Sequence, residues 1–137
     1  MQIVADLHTH TNVSTHAYSS LAEMVHAAKQ AGMLAIALTD HGPAMEDGAH
    51  QWHFANQSIF PRVMDGVVVI RGMECNILPP MGAVDPIEYK YYKELEYVIA
   101  SFHDPIYKPA TVEAHTIAME GVLRDPVITT LGHPGTP

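Results

Sequence analysis

Five short apolar runs, at residues 3–7, 34–39, 67–70, 97–102 and 127–131, recur about 30 residues apart and constrain this chain more than any other feature. Each is rich in Val, Ile and Leu and too short to stand alone as a helix, so each reads as a β-strand. The spacing matches a strand–helix unit whose successive strands lie parallel. Near-continuous apolar strands of this kind are expected to be buried on both faces.

The intervening segments carry helix signals. Ser20-Leu21-Ala22-Glu23 is a capping box, with Ser20 as N-cap and Glu23 reaching back to it. Leu21, Met24, Val25 and Ala28 follow at helical spacing, and Gly32 can supply a left-handed stop. A second helix is predicted over 112–123, ending before Asp125-Pro126. Residues 42–61 read as a long loop with one helical turn, and 76–86 as a second loop. The expected fold is therefore α/β, as an open sheet or a (β/α) barrel, within a single domain over residues 1–137. In either architecture ligands gather at the carboxyl ends of the strands.

Those strand ends hold an unusual residue set. The first runs into Asp6-Leu7-His8-Thr9-His10, with His16 in the loop beyond, and the second into Thr39-Asp40-His41-Gly42. The third ends in Gly72-Met73-Glu74-Cys75, the fourth in Ser101-Phe102-His103 and the fifth in Gly132-His133-Pro134. Period two puts His8 and His10 on one face, about 7 Å apart along the strand. The chain has ten histidines, and random placement would not deliver four of five strand ends with a glutamate at the fifth. The candidate metal ligands are accordingly His8, His10, His16, His41, Glu74, His103 and His133. Imidazoles with one carboxylate suit zinc, and also manganese or iron, better than calcium or magnesium. Seven ligands exceed the needs of one tetrahedral ion, so two or three ions are expected, with Glu74 as a bridge because a carboxylate has two oxygens.

The remaining candidates receive plainer readings. His26 and His115 are expected at the surface, and His50 and His53, flanking Trp52, to pack locally or line a pocket. Cys75 alternates away from Glu74 and reads as a buried, inert thiol. Asp6 and Asp40 precede histidines, and either could support a ligand from behind, Asp40 being better placed at its strand end.

Charge and composition bound the partners. The net charge of −8 gives no footprint for sequence-independent nucleic-acid binding. Bound divalent ions would reverse that locally, three of them adding roughly +6 and favouring an anionic substrate. No apolar run approaches the ~20 residues of a membrane span. The N-terminus resembles no export signal and Cys75 is the single cysteine, which together point to a cytoplasmic protein.

These motifs resemble the PHP (polymerase and histidinol phosphatase) domain family. The resemblance is carried by Asp6-Leu7-His8-Thr9-His10, Ser14-Thr15-His16, Thr39-Asp40-His41-Gly42, Gly72-Met73-Glu74, Phe102-His103 and Gly132-His133-Pro134-Gly135, and it spans essentially the whole chain. The stretches from Ser14 to Ser19 and from His41 to Asp47, with Trp52-His53-Phe54, look like the small bacterial PHP phosphatases that hold three zinc ions. The resemblance implies a distorted (β/α)7 barrel, here incomplete, with about five strands. It implies His8, His10 and Glu74 on one ion, Glu74, His103 and His133 on a second, and His16 with His41 on a third. Family members also supply a later Asp-x-His motif beyond the His-Pro-Gly strand end. The expectation is thus a C-terminally short domain: a fragment, a shortened relative, or a chain completed by an oligomeric partner.

The expected activity is a metal-dependent phosphohydrolase acting on a small phosphomonoester. No Ser-His-Asp grouping offers a nucleophile, so a water bridging two ions, its pKa lowered from 15.7 towards about 7, is expected to attack. Arg62 or Arg71 could grip a phosphate. The alternatives are a metal-dependent amide or lactone hydrolase, or a truncated zinc-binding module without turnover.

Overall fold

The computed structural model describes residues 3–108 and 110–134. In chain order the elements are β1 (Ala5–Thr9), α1 (Leu21–Gln30), β2 (Ala35–Leu38), α2 (Gln51–Ala55), a 3-10 turn (Asn56–Ile59), β3 (Val63–Met64), β4 (Val67–Leu78), β5 (Ala83–Val84), a 3-10 turn (Tyr89–Tyr91), β6 (Tyr97–Ser101), α3 (Val112–Leu123) and β7 (Thr130–Leu131). Five parallel strands in the order β1-β2-β4-β6-β7 curl into an open half-barrel, and β3 and β5 pair antiparallel with β4.

β4 is the pivot of the sheet. Its first half pairs with β2, Val68 to Arg71 opposite Ala35 to Leu38, and its second half pairs with β6, Gly72 to Asn76 opposite Tyr97 to Ser101. Alternation along β4 then divides the residues. Val67, Val69, Met73, Cys75 and Ile77 point into the apolar layer, while Glu74 and Asn76, both buried, point to the concave face. The apolar layer has two parts. Val25 and Ala28 of α1 pack on Ile36, Val67 and Val69, and Ala118 and Val122 of α3 join Met73, Cys75, Val98, Ala100 and Phe102.

Both long helices start as their caps dictate. Ser20 and Glu23 form the reciprocal capping box of α1, and Thr111 accepts from the Ala114 amide at the start of α3. α1 ends at Gly32, whose φ of +73° lies in the left-handed region.

Four expectations need correction. Residues 76–86 are not simply a loop: β4 continues to Leu78 and turns back through β5, so the third strand is twelve residues long. The fifth strand is two residues, Thr130–Leu131, since Asp125 to Ile128 form a turn closed by the Ile128 amide on the Asp125 carbonyl. The first strand lies at Ala5–Thr9 rather than 3–7, because pairing with β2, not apolarity, fixes its limits. Finally, β1 is not buried on both faces. Among the described residues it pairs on one side only, and Ile3, Val4 and Leu7 are exposed. No helix among the described residues is long and apolar enough to cross a membrane.

Candidate metal centre

All seven candidate ligands converge on the concave face at the strand ends, with Glu74 at the centre. Glu74 Oε2 lies 3.2 Å from His8 Nε2, 3.4 Å from His10 Nε2 and 3.1 Å from His41 Nδ1. Its Oε1 lies 3.1 Å from His133 Nε2 and 3.5 Å from His103 Nε2, and accepts a 2.6 Å hydrogen bond from the Ser101 hydroxyl. His16 joins at the periphery, its Nε2 3.2 Å from His41 Nε2. The sheet register explains the convergence, since His41 forms an isolated parallel bridge with Glu74, placing the end of β2 beside the middle of β4.

Two groups have ligand geometry: His8, His10 and Glu74, and His41, Glu74 and His103. Glu74 belongs to both, as expected of a bridge. The second group differs from the family-implied pairing of Glu74 with His103 and His133, although His133 reaches the same carboxylate oxygen as His103.

The buried nitrogens test whether these residues fit a metal. His41 Nδ1 and His103 Nε2 are shielded from solvent and, among the described residues, have no hydrogen bond, although both face the Glu74 carboxylate. A buried polar atom without a partner costs about 1–3 kcal/mol. A cation between the imidazole lone pairs and the carboxylate satisfies both, so these groups can hold metal ions.

The electrostatics follow from the same packing. Burial acts to raise the Glu74 pKa, but the imidazoles of His103 and His8 and the Ser101 hydroxyl overcome it, holding the carboxyl well below its usual range. Burial pushes the His41 imidazole down to about 4, and lowers His10 as well. His8 moves the other way, raised chiefly by its hydrogen bond to Glu74.

These shifts predict how the metal-free chain responds to acid. The unfolded chain protonates His41 near 6.5 whereas the folded chain resists until about 4, so the unfolded state binds more protons across that interval and stability falls as pH falls. The loss from His41 is about 3 kcal/mol. His8 opposes it, its contribution being present at low pH and lost as pH rises. Urea unfolding in chelator should show the net decline between pH 6.5 and 4, and a flat profile would count against a neutral, buried His41.

Other residues support the cluster from behind. Asp40 is fully buried and, among the described residues, makes no hydrogen bond or ion pair with any of the seven candidate side chains. Its carboxylate accepts from the Thr11 amide (2.7 Å), the Thr11 hydroxyl (2.9 Å), the Ser14 hydroxyl (2.9 Å) and His53 Nε2 (3.0 Å). The Ser14 oxygen in turn accepts from the His41 amide at 3.0 Å. Asp6 accepts from the His8 amide at 3.2 Å.

Sequence reasoning missed four supporters: Ser101 on Glu74, Asp47 on His16 Nδ1, Asn76 on His103 Nδ1, and Asp85 on Asn76. Asn76 was within reach of the strand alternation, being two residues beyond Glu74, had β4 been extended. His115 is not a surface residue as expected but half-buried, its ring 5.0 Å from Phe102 and 5.2 Å from Tyr107. His26 is exposed and Cys75 buried, burial raising its thiol pKa further. His50 caps α2 and His53 is held by Asp40. Arg62 pairs with Glu96, and Arg71 with Glu94 and the Ser58 carbonyl. Gly135, in the closing motif, lies outside the described residues.

A half-barrel of parallel strands whose carboxyl ends gather histidines around one glutamate defines an α/β protein equipped to hold metal ions. Residues 6–125 match the PHP domain, and the chain belongs to that family. Over all 137 residues it is 43% identical to a protein of Shewanella piezotolerans named a probable phosphatase, covering 55% of that protein. It is 45% identical to one of Shewanella putrefaciens so named, covering 54%, and 43% identical to one of Photobacterium profundum, covering 55%. The chain spans about half the length of the curated relatives it matches.

Proposed function

We propose that this chain carries the metal centre of a phosphohydrolase acting on small phosphomonoesters, with zinc as the resident ion. The observation that carries the reading is Glu74, whose two oxygens face two sets of imidazoles. The phosphatase names of the PHP-domain relatives supply the reaction class. His8, His10 and Glu74 would hold one ion, and His41, Glu74 and His103, with His133 alongside, a second. His16, oriented by Asp47, and His41 offer facing Nε2 atoms for a third. Imidazole and carboxylate donors favour zinc, with manganese or iron as the other ions such a set accepts.

When bound, such ions acidify a water and neutralise charge on a phosphoryl group. The chain's own part is positional. Ser101 fixes the Glu74 carboxylate by donating to Oε1, and Asp40 anchors the loop after β1 through Thr11 and Ser14. Glu74 and His41 are buried while the side chains of His16 and His133 are 55% and 38% exposed, so the cluster is dry on the sheet side and open on the other. A phosphoryl group can approach from the open side.

The test begins with elemental analysis of the full chain purified without chelator. About two zinc, manganese or iron ions per chain are expected, followed by hydrolysis of an aryl phosphate over the matching carboxyl ester and anilide. Chelation should abolish turnover, and His8→Ala should lower it at least about 100-fold through loss of a ligand. Faster cleavage of the ester or anilide would favour an amide or lactone hydrolase instead. Full metal occupancy without turnover on any of the three would favour a binding module.

A further inference from the structure

His103 reaches the cluster as a chemically selective ligand, and the selection comes from a residue outside it. Asn76 is completely buried on the concave face, two residues beyond Glu74. Its side-chain nitrogen donates to the Gly42 carbonyl at 3.2 Å and to Asp85 Oδ2 at 2.9 Å. Both partners are acceptors, which fixes which end of the amide points where. The amide oxygen therefore faces His103 Nδ1, 2.7 Å away. An oxygen can only accept, so Nδ1 carries the proton and Nε2 keeps its lone pair.

Asp85 is itself locked. It is buried at 4% exposure and accepts from the backbone amides of Ala44 and Asn76 as well as from the Asn76 side chain. Gly42, the residue after His41, is packed so closely that a Cβ there would lie 2.6 Å from Asp85 Oδ1. Four segments thus meet at this pair: the loop after β2, the end of β4, the Asp85 turn and the end of β6.

We propose that Asn76, oriented by Asp85, is a positioning residue that holds His103 as its Nδ1–H tautomer and so presents Nε2 to the ion shared with Glu74 and His41. The assignment rests on reading the cluster as a metal centre. It adds two residues, Asn76 and Asp85, that set the second ion's affinity without touching it. Supporting groups behind metal-binding histidines typically change affinity about 10–100-fold.

The test is nitrogen-15 NMR of the labelled full chain, metal-free and at mildly alkaline pH, with His103→Gln identifying the His103 signals. The wild-type ring should show a protonated Nδ1 and an unprotonated Nε2, and zinc should shift the Nε2 resonance. In Asn76→Ala the tautomers should mix, and zinc titration should show one site weakened about 10–100-fold with the other near wild type. An Nε2–H ring in wild-type protein that still takes up zinc overturns this assignment alone, as does an Asn76→Ala chain with unchanged tautomer and unchanged zinc affinity. A wild-type chain that binds no zinc at all overturns the metal-centre reading and the assignment with it. Because the wild-type spectrum decides the tautomer by itself, the result stands even if Asn76→Ala does not fold.

Discussion

Glu74→Gln is expected to abolish zinc uptake at both groups while leaving the chain folded. Glutamine keeps the shape of the side chain but loses its charge and one acceptor oxygen. Both candidate metal groups contain Glu74, so one substitution removes a ligand from each. Structural zinc sites of four ligands bind with about 10–16 kcal/mol, so one ligand corresponds to about 3 kcal/mol, or roughly a 100-fold loss per ion. The loss should exceed that figure, since the anionic carboxylate offsets the charge of two cations at once.

Thermal unfolding with and without zinc separates this from a folding defect. At zinc concentrations ~100 times the dissociation constant the wild-type chain gains about 2.7 kcal/mol for each ion bound, and the variant should gain almost nothing. The metal-free variant should melt below the metal-free wild type, since the imidazole and Ser101 contacts that hold the Glu74 carboxyl ionised outweigh its burial, so it is the zinc-dependent gain within each protein that reports the site. Wild-type zinc stoichiometry in Glu74→Gln would remove Glu74 from the centre of the site.

Asp40→Ala should strongly destabilise the chain. Four donors from two segments, the loop after β1 and α2, end on this one buried carboxylate. Burial acts to raise its pKa, but the hydrogen bonds from His53 and Thr11 prevail and hold it below the usual range, so it is an anion in the folded state. Truncation strands those donors and frees the loop from Thr11 to Ser14, at a cost of about 3–5 kcal/mol. A domain of this size has about 5–15 kcal/mol in total, so the variant should be partly unfolded at physiological temperature. The damage should also reach the candidate metal centre, because the Ser14 oxygen that receives the His41 amide is held by Asp40. Urea denaturation of the metal-free protein checks the magnitude, and a shift below about 1 kcal/mol would show that water replaces the carboxylate. Asp40→Asn, which keeps two acceptor lone pairs, should fall between Asp40→Ala and wild type.

Much of this architecture was legible before any coordinates. The caps of α1 and α3 were readable because a capping residue and its target amide lie within one helical turn. That the candidate residues would gather on one side was legible because six of the seven stand at predicted strand ends, which local apolar runs mark and which in parallel α/β sheets face one way. The limits of β1 and the length of β4 were not readable. They depend on hydrogen bonds to a neighbouring strand, and the apolar run that signals a strand stops where polar residues still serve the concave face. Ile70 closed the third run in the sequence, yet β4 continues through Glu74 and Asn76 because β6 and β5 pair with it there.

Sequence alone determined the chemical class of the candidate site: which residues are donors, that a carboxylate stands among imidazoles, and that such a set could hold metal ions. Tertiary structure alone decided the wiring. That Oε2 of Glu74 meets His8, His10 and His41 while Oε1 meets His103 and His133, and that Asn76 turns its oxygen rather than its nitrogen to His103, depends on contacts between residues 27 to 66 positions apart. Residue type is written in the chain one position at a time, whereas a lone pair acquires its direction only when distant segments pack and each buried donor and acceptor must find a partner.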